Sequence, residues 1–511
     1  MRFLSHKWIR IVFLEVAVAT LPLPALCDFE WPVTTPLEAN VDSQMLAEMS
    51  QRIRDGEYGA VNSFLVLRHG KLVYEEYFNG FDADELAPVF SVTKSVASAL
   101  VGVAQRRGDL PGLDTTFNAL FPSYANFLAD NPGAGEIRFH DLLTQRHGFA
   151  WDEWTTGWDN PANPAHQMMK SPDWWAYVLS RPVTAEPDTV FRYSTGVSNL
   201  MGLAILEHTG MSAAEYALQN LFPQLEITDA DIRVTGAGAP PDAQQGIFPE
   251  GFTPTGHGLW LKPRDLAKIG QLYLDRGAFQ NRRLFDPSWV DLSMLRYSDS
   301  TTDPDVFSDT IGYGYQWWVT DLDTPHGPAE VYRAWGYADQ YVFVIPRFDM
   351  VIVTTASNWL DNGKDMRHAL AEVIADGIGM DFDPESDAGI TGPWASPHRP
   401  GQGFMLEVVP STGQVVLFWL TFDPVTGEQL WLIGPSRLHG RRTVMQLLRP
   451  VGPSFEGEGE TVLEPWGDAE IIFTTCTTAQ LSYRSEVHDL EGGFELFRIT
   501  PNEYCTDEPT P

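Results

Sequence analysis

Hydrophobic and polar residues follow three distinct patterns near the start of the chain. Apolar residues recur every three to four positions over residues 38–55, which predicts an amphipathic helix. Residues 62–80 instead form two β-rich runs joined by a short polar turn, a pattern typical of a hairpin. A second helical pattern covers residues 91–108, and this otherwise apolar helix begins with Ser91 and Lys94.

Strand patterns return much later in the chain. Residues 330–337 and 340–356 are β-rich, the second with a turn in its middle, and residues 365–378 form an amphipathic helical pattern. Between them, residues 110–300 are rich in helical patterns and loops. Strands at both ends predict one antiparallel sheet flanked by helices, an α+β fold with an inserted helical region. The Ser91 helix then lies between the sheet and the insertion, where a cleft is expected.

The composition changes at residues 381–393 to Asp, Gly and Pro, as in a linker. Beyond it, residues 394–508 alternate short apolar runs with turn signals, which predicts a small all-β domain. Four of its tryptophans are spaced along these runs: Trp394, Trp419, Trp431 and Trp466. They would suit carbohydrate binding, but aromatic residues in strands more often belong to a core. An accessory or stabilising domain is therefore the favoured interpretation.

Residues 1–27 have the layout of an export signal, with a basic start, a short apolar run and small residues at Ala25 and Cys27. We expect cleavage after Cys27 and a secreted or periplasmic protein that does not insert into a membrane. A retained membrane anchor and a lipidated Cys27 are the alternatives. The remaining cysteines, Cys476 and Cys505, form an even pair in an oxidising compartment, so a disulfide between them is expected.

The formal net charge of −34 narrows the range of partners. Such a surface repels phosphate backbones and anionic lipid, so neither nucleic acid nor a membrane surface is expected as a partner. The chain has no Gly-x-Ser-x-Gly elbow, His-Glu-x-x-His helix, P-loop or dinucleotide glycine fingerprint. Its 12 histidines are scattered without ligand spacing. No metal and no cofactor are expected.

The sequence from Ser91 to Lys94 is the one Ser-x-x-Lys motif of the chain. Residues three apart share a helix face, so the Lys94 amine can reach the Ser91 hydroxyl. The helix dipole and the free amides at its N-terminus favour negative charge that develops at Ser91. The alternative is a serine that caps the helix beside a surface lysine. Four residues alone do not decide between the two.

Two further motifs follow in order along the chain. Tyr193 stands just before an amphipathic helix, and Gly336 leads into the last hairpin. With the Ser-x-x-Lys motif, they resemble the serine β-lactamase and penicillin-binding-protein superfamily. The likeness is to its class C-like branch of esterases, D-amino-acid peptidases and 6-aminohexanoate-dimer hydrolases. It covers roughly residues 40–380 and implies a β-lactamase/transpeptidase-like fold for a domain at residues 38–380.

The resemblance implies a role for each motif residue. Ser91 corresponds to the acylated nucleophile, and Lys94 and Tyr193 correspond to the proton-transfer groups. The backbone N–H groups of Ser91 and Tyr337 correspond to the oxyanion hole. The strand edge that binds substrate corresponds to Trp335 and Gly336. Such an enzyme hydrolyses a small-molecule ester, amide or peptide through an acyl-enzyme.

The sequence departs from the family pattern at two places. Thr195 stands where the family has the asparagine of Tyr-x-Asn, and neither lysine nor histidine precedes Gly336. Because those groups commonly engage β-lactam and D-alanyl substrates, their replacement favours hydrolysis of another ester or amide. A D,D-peptidase or β-lactamase is the second interpretation, and a non-catalytic binding protein on the same scaffold is the third. His147 is interpreted as structural rather than catalytic.

Overall fold

The computed structural model of the chain describes residues 29–232, 250–280, 282–300, 311–324, 327–359, 366–377, 390–409, 414–438, 442–452, 461–485 and 487–500. From Trp31 onward the described residues belong to one compact unit, whereas Phe29 and Glu30 belong to a separate N-terminal unit. Within these stretches, no helix has the length and apolar character needed to cross a membrane.

The first part of the fold contains both strands and helices. Its strands are β1 (Val61–Arg68), β2 (Lys71–Tyr77), β3 (Ala87–Pro88), β4 (Asp231–Ile232), β5 (Leu259–Leu261), β6 (Ala278–Phe279), β7 (Arg282–Arg283), β8 (Ser298–Ser300), β9 (Ile311–Tyr313), β10 (Trp318–Thr324), β11 (Gly327–Gly336), β12 (Gln340–Ile345) and β13 (Met350–Ala356). Its helices are α1 (Ser43–Arg54), α2 (Val92–Arg107), α3 (Phe117–Leu120), α4 (Ala125–Asp130), α5 (Pro132–Gly135), α6 (Phe139–Leu143), α7 (Pro164–Lys170), α8 (Trp174–Leu179), α9 (Thr195–Thr209), α10 (Ala213–Asn220), α11 (Pro263–Leu274), α12 (Pro287–Met294) and α13 (Met366–Asp376).

Eight of these strands form one antiparallel sheet in the order β2-β1-β13-β12-β11-β10-β9-β8. β1, from the start of this region, pairs with β13 from its end, so that Val66 lies opposite Ile352. The sheet is therefore built from both ends, with most of the helices inserted between. This confirms the predicted α+β, β-lactamase/transpeptidase-like fold. The turn expected between β12 and β13 is a 3₁₀ turn, Pro346–Phe348.

Helices cover both faces of the sheet. Leu46 of α1 and Leu370 of α13 belong to one core cluster with Phe343 of β12. Successive residues of a strand point to opposite faces, so Val342 faces away from that cluster. There it meets α11, which packs so closely that a methyl group on Gly270 would lie 2.9 Å from a Val342 carbon. The sheet is therefore buried on both sides.

The C-terminal region is all-β, as predicted, and forms a closed eight-stranded barrel. Its strands are β14 (Gly392–Ala395), β15 (Gly403–Val409), β16 (Gln414–Phe422), β17 (Gln429–Arg437), β18 (Arg442–Val451), β19 (Val462–Phe473), β20 (Thr478–Ser485) and β21 (Leu490–Arg498). Trp394, Trp419 and Trp466 lie in the barrel core, as expected for aromatic residues in strands. Trp431 differs, because 47% of its surface is exposed.

Partly buried ion pairs join the barrel to the first part of the fold. Arg283 donates from Nε to Asp468 Oδ2 at 2.8 Å. Arg442 of β18 contacts both Asp275 and the neighbouring Glu470. Burial raises the pKa of Asp275 to about 7, and the Arg442 charge acts in the opposite direction. The two regions thus share a charged, partly buried contact.

Cys476 is buried in the barrel core. Cys505 lies outside the described residues, so the Cys476–Cys505 disulfide stays a prediction. The limits set for the signal peptide (1–27), the hydrolase domain (38–380), the linker (381–393) and the accessory domain (394–508) are likewise still predictions.

Candidate active site

The backbone that leads into α2 is held in an unusual conformation. Phe90, the residue before Ser91, has a φ of +47°. Residues with bulky side chains rarely adopt this left-handed conformation. It costs about 1–3 kcal/mol, and residues strained in this way cluster at functional sites. Ser91 then occupies the N-cap position of α2, but its side chain makes no capping hydrogen bond to the helix backbone. Its hydroxyl is therefore not used to cap the helix.

Lys94 lies one turn along α2 and is almost fully buried, with 1% of its surface exposed. Its Nζ atom lies 2.9 Å from Ser91 Oγ, 3.1 Å from Thr195 Oγ1 and 2.6 Å from the carbonyl oxygen of Gly256. The alternative of a capping serine beside a surface lysine is therefore wrong on both counts. The predicted Ser91–Lys94 contact is present.

Burial changes the protonation of this amine. Removal from water disfavours a charged ammonium group and lowers the pKa of Lys94 to about 7. The negative charge of Glu153 acts against this and raises the pKa. An ordinary lysine has a pKa near 10.4, so Lys94 is much better suited than most to accept a proton at neutral pH.

Tyr193 lies beside the same amine, in the loop before α9. The Lys94 Nζ atom is 4.9 Å from the centre of its ring. Burial is the main cause that raises the pKa of Tyr193, and the charge of Glu153 adds to it, while a hydrogen bond with Ser91 opposes both. The phenol is therefore protonated at neutral pH. The structure brings Ser91, Lys94 and Tyr193 together, as expected.

Two further groups complete this site, and sequence reasoning did not identify either role. Thr195, recognised only as a departure from the family pattern, accepts a hydrogen bond from Lys94. Its hydroxyl donates to Glu153 Oε1 at 2.7 Å, and its backbone N–H donates to Glu153 Oε2 at 2.8 Å. Glu153 comes from a tryptophan-rich loop, where nothing in the local pattern distinguishes it from its acidic neighbour Asp152.

Hydrogen bonds also fix the position of the Gly256 carbonyl group. The Oδ1 atom of Asn199 accepts from the N–H groups of Thr255 and Gly256, at 3.0 and 2.8 Å. These two hydrogen bonds hold the segment that directs the carbonyl oxygen of Gly256 towards Lys94. A methyl group on Gly256 would lie 2.6 Å from the carbonyl oxygen of Thr195, so only glycine fits without a shift.

The last predicted motif lies where β11 ends. A methyl group on Gly336 would lie 2.3 Å from the carbonyl oxygen of Val89, two residues before Ser91. Glycine thus lets the strand edge approach the start of α2 closely. Tyr337 follows directly, so its backbone is carried to the same place. The structure therefore brings the Gly336–Tyr337 and Ser91 segments together.

Aromatic rings surround these polar groups. Trp154, Trp318 and Trp335 form one cluster, here called the tryptophan wall, with ring centres 5.6 to 6.4 Å apart. The Tyr193 ring stacks on Trp318 at 5.5 Å, which joins the wall to the catalytic candidates. Trp154 is 46% exposed and therefore offers an apolar surface to solvent or to a ligand.

A second aromatic group lies next to Ser91. The Phe90 ring packs edge-on against Tyr337 at 5.6 Å and against Trp359 at 5.4 Å. The Tyr337 hydroxyl donates to the carbonyl oxygen of Trp359 at 3.0 Å, which fixes a side chain that is 56% exposed. Exposed but immobilised rings of this kind suit contact with an apolar group.

His147 has contacts that fit the structural role expected of it. Its Nδ1 accepts from the backbone N–H of Phe149 at 3.1 Å, so Nε2 carries the proton and donates to the carbonyl oxygen of Arg192 at 2.9 Å. Burial lowers its pKa to about 3. The imidazole is neutral and both nitrogens are occupied by backbone groups.

Comparison with known proteins gives a consistent result. The family model Beta-lactamase matches residues 50–376. Among curated proteins, the 6-aminohexanoate-dimer hydrolase of Paenarthrobacter ureafaciens is 24% identical over 352 residues, which span 65% of this chain and 81% of that protein.

Solved structures share the fold at low identity. A Bacillus anthracis protein provisionally described as a 6-aminohexanoate-dimer hydrolase has a TM-score of 0.52 and 20% identity, over 68% of this chain and 87% of that one. EstCE1, a hydrolase with promiscuous acyltransferase activity, has a TM-score of 0.50 and 16% identity, over 65% and 99%. At these identities the structures bear on the fold alone. Because the family model spans well over half of the 511 residues, the chain belongs to the Beta-lactamase family and is a serine hydrolase.

Proposed function

We propose that this protein is an exported hydrolase that cleaves esters or amides of small, largely apolar compounds through an acyl-enzyme on Ser91. The observation that carries the proposal is the 2.9 Å contact between Ser91 Oγ and a buried Lys94 amine whose pKa is about 7. About half of such an amine is neutral at pH 7, and a neutral amine can take the hydroxyl proton.

The reaction runs in two halves. Ser91 Oγ bonds to the carbonyl carbon while its proton moves to Lys94, and the N–H groups of Ser91 and Tyr337 bind the resulting oxyanion. The bond to the leaving group then breaks. The proton held by Lys94 passes, through the Tyr193 hydroxyl, to the departing alkoxide or amine. Water releases the acyl group by the same steps in reverse.

The surroundings of the site support an apolar substrate. The tryptophan wall lies on the Tyr193 side, and Tyr337 and Trp359 lie on the Phe90 side. The 6-aminohexanoate-dimer hydrolase to which the chain is similar acts, by its name, on a dimer of 6-aminohexanoate. Uncharged aliphatic and aromatic acyl groups attached through an ester or a simple amide are therefore the proposed substrates.

A substrate screen with matched variants tests the proposal. Wild type, Ser91→Ala and Ser95→Ala are assayed against chromogenic esters of increasing acyl length, linear amides, D-alanyl peptides and nitrocefin, and each is treated with a fluorophosphonate. Ser95 is the matched control, because it lies one turn further along α2 and donates to the carbonyl oxygen of Gln316 instead. We expect Ser91→Ala alone to lose both turnover and labelling.

The outcomes separate the rival functions. Preferential cleavage of nitrocefin or of D-alanyl peptides would replace the proposal with a β-lactamase or D,D-peptidase. Neither turnover nor labelling in a folded wild type would favour the binding-protein interpretation. Activity that survives in Ser91→Ala would place the nucleophile elsewhere.

A further inference from the structure

The carboxylate of Glu153 has no part in the reaction as described, although it lies at the centre of the site. It is buried, and among the described residues three groups hydrogen-bond to it: two N–H groups and one hydroxyl. Oε1 accepts from the Thr195 hydroxyl, and Oε2 accepts from the Thr195 backbone N–H and from Trp151 Nε1, the last at 2.7 Å. Burial raises the pKa of Glu153, whereas the charge of Lys94 and the hydrogen bonds from Thr195 and Trp151 lower it. Two of these donors, a backbone N–H and an indole N–H, cannot accept a hydrogen bond, so they favour the ionised carboxylate.

The carboxylate fixes the direction of the Thr195 hydroxyl. A hydroxyl has one proton to donate, and an ionised carboxylate can only accept. The Thr195 proton therefore points to Glu153, and the lone pairs of Thr195 Oγ1 are left for Lys94 Nζ, 3.1 Å away. The carbonyl oxygen of Gly256, 2.6 Å from the same nitrogen, is also an acceptor and nothing else.

This arrangement determines where the Lys94 lone pair points. A neutral amine has two N–H bonds and one lone pair. Thr195 and Gly256 each take one N–H, so the lone pair is left for the third neighbour, Ser91 Oγ, at 2.9 Å. We propose that Glu153 is a positioning residue that, by orienting the Thr195 hydroxyl, keeps the Lys94 lone pair directed at the Ser91 proton. The inference rests on the proposed function, because it assigns Lys94 the role of base.

Glutamine at position 153 would reverse the arrangement without much change in shape. Its amide oxygen would take the place that accepts from the Thr195 N–H and Trp151. The amide nitrogen would then face Thr195 Oγ1 and donate to it. The Thr195 proton would turn towards Lys94 and occupy its lone pair, and Lys94 would present an N–H to Ser91 instead.

The charged and titratable groups around the pair are few among the described residues. Lys94 and Glu153 face each other and Tyr193, and the charge of Glu153 also reaches Tyr313 of β9. On the segment that presents Gly256, the ring of His257 stacks on Trp174. Loss of the Glu153 charge would therefore act on Lys94 and on these two tyrosines. An opposite charge at short range typically raises a lysine pKa by 1 unit or more, so its removal lowers that pKa.

The test measures pre-steady-state acylation of Ser91 by a chromogenic ester between pH 5 and pH 9. In Glu153→Gln we expect the plateau rate to fall by about 100-fold or more, the usual range for a misdirected general base. The acid limb should move about one pH unit lower. Thr195→Val should lower the plateau similarly, whereas Thr195→Ser, which keeps the hydroxyl, should stay near wild type. Glu75→Gln removes a carboxylate that is hydrogen-bonded to Arg264, and it should leave both the plateau rate and the position of the acid limb unchanged.

Two results would overturn the inference. One is a wild-type plateau in Glu153→Gln, and the other is a wild-type plateau in Thr195→Val. If Glu153→Gln fails to fold, the comparison of Thr195→Val with Thr195→Ser still tests the inference. A purely structural threonine would not make the acylation rate depend on whether residue 195 has a hydroxyl. Acylation of wild type at a residue other than Ser91 would instead refute the proposed function.

Discussion

Replacing Lys94 with arginine separates a proton acceptor from a fixed positive charge. The amine lies in a closed pocket with three oxygen atoms within 3.1 Å, and burial lowers its pKa to about 7. About half of the amine is then neutral at pH 7, and about 1% at pH 5. Arginine, with a pKa above 12, stays protonated throughout this range.

The expected pH dependence and loss of activity follow from the neutral fraction of the amine. In wild type, kcat/KM should rise about tenfold per pH unit from pH 5 to pH 7 and level off above, because activity follows the neutral amine. In Lys94→Arg we expect a loss of about 10²–10⁴ at neutral pH, the usual contribution of a general base, and no acid limb near pH 7. The loss should appear in kcat, since the amine does not bind the substrate.

The assay is burst kinetics with a chromogenic ester, on variants whose circular dichroism matches wild type. Lys268→Arg is the matched control. Lys268 is also buried, with its amine 2.8 Å from Asp265 Oδ1 and 2.8 Å from the carbonyl oxygen of Glu226. It reports the cost of fitting a larger guanidinium into a packed site. A burst in Lys94→Arg close to that of wild type would refute the base assignment and transfer it to Tyr193.

Two predictions concern packing and the barrel contact. Gly336→Ala places a methyl group 2.3 Å from the carbonyl oxygen of Val89, so the strand must move away from α2. We expect a lower kcat and a lower melting temperature, and unchanged kinetics would contradict the close approach. Arg442→Met leaves the partly buried carboxylates Asp275 and Glu470 without this counter-ion, a change that costs about 3–5 kcal/mol for a fully buried pair and less for an exposed one. Calorimetry should show a destabilised or separate barrel transition, while a single transition at the wild-type temperature would show that the pair carries little energy.

The elements of the fold could be predicted because their signals are local. The apolar face of α1 and the β-rich runs of β12 and β13 follow from neighbouring residues. Strands at both ends of one unit also predict a single sheet, although the sequence does not give the register in which β1 pairs with β13. The Ser91–Lys94 contact is also local, since both residues lie on one helix turn. When two interacting residues are three positions apart, their contact can be predicted from the sequence.

The remainder of the site depends on distant partners. Gly256 is 162 positions from Lys94, and a backbone carbonyl carries no side-chain signal. The positive φ of Phe90 is equally hidden, because phenylalanine has no preference for that conformation and only the surrounding structure imposes it. Glu153 looked like one acidic loop residue among several. Its role follows only from its burial and from its three donors.

Thr195, which stands where the family has an asparagine, is best understood together with Glu153. An asparagine, which the family has at this place, carries its acceptor oxygen and its donor nitrogen as two separate atoms of the side chain. A threonine hydroxyl can rotate and could equally donate to Lys94. It becomes a dependable acceptor only if its proton is held elsewhere, and Glu153 Oε1 holds it at 2.7 Å. Threonine and the buried glutamate therefore act as one unit, in which Glu153 keeps the Thr195 hydroxyl available as an acceptor for Lys94.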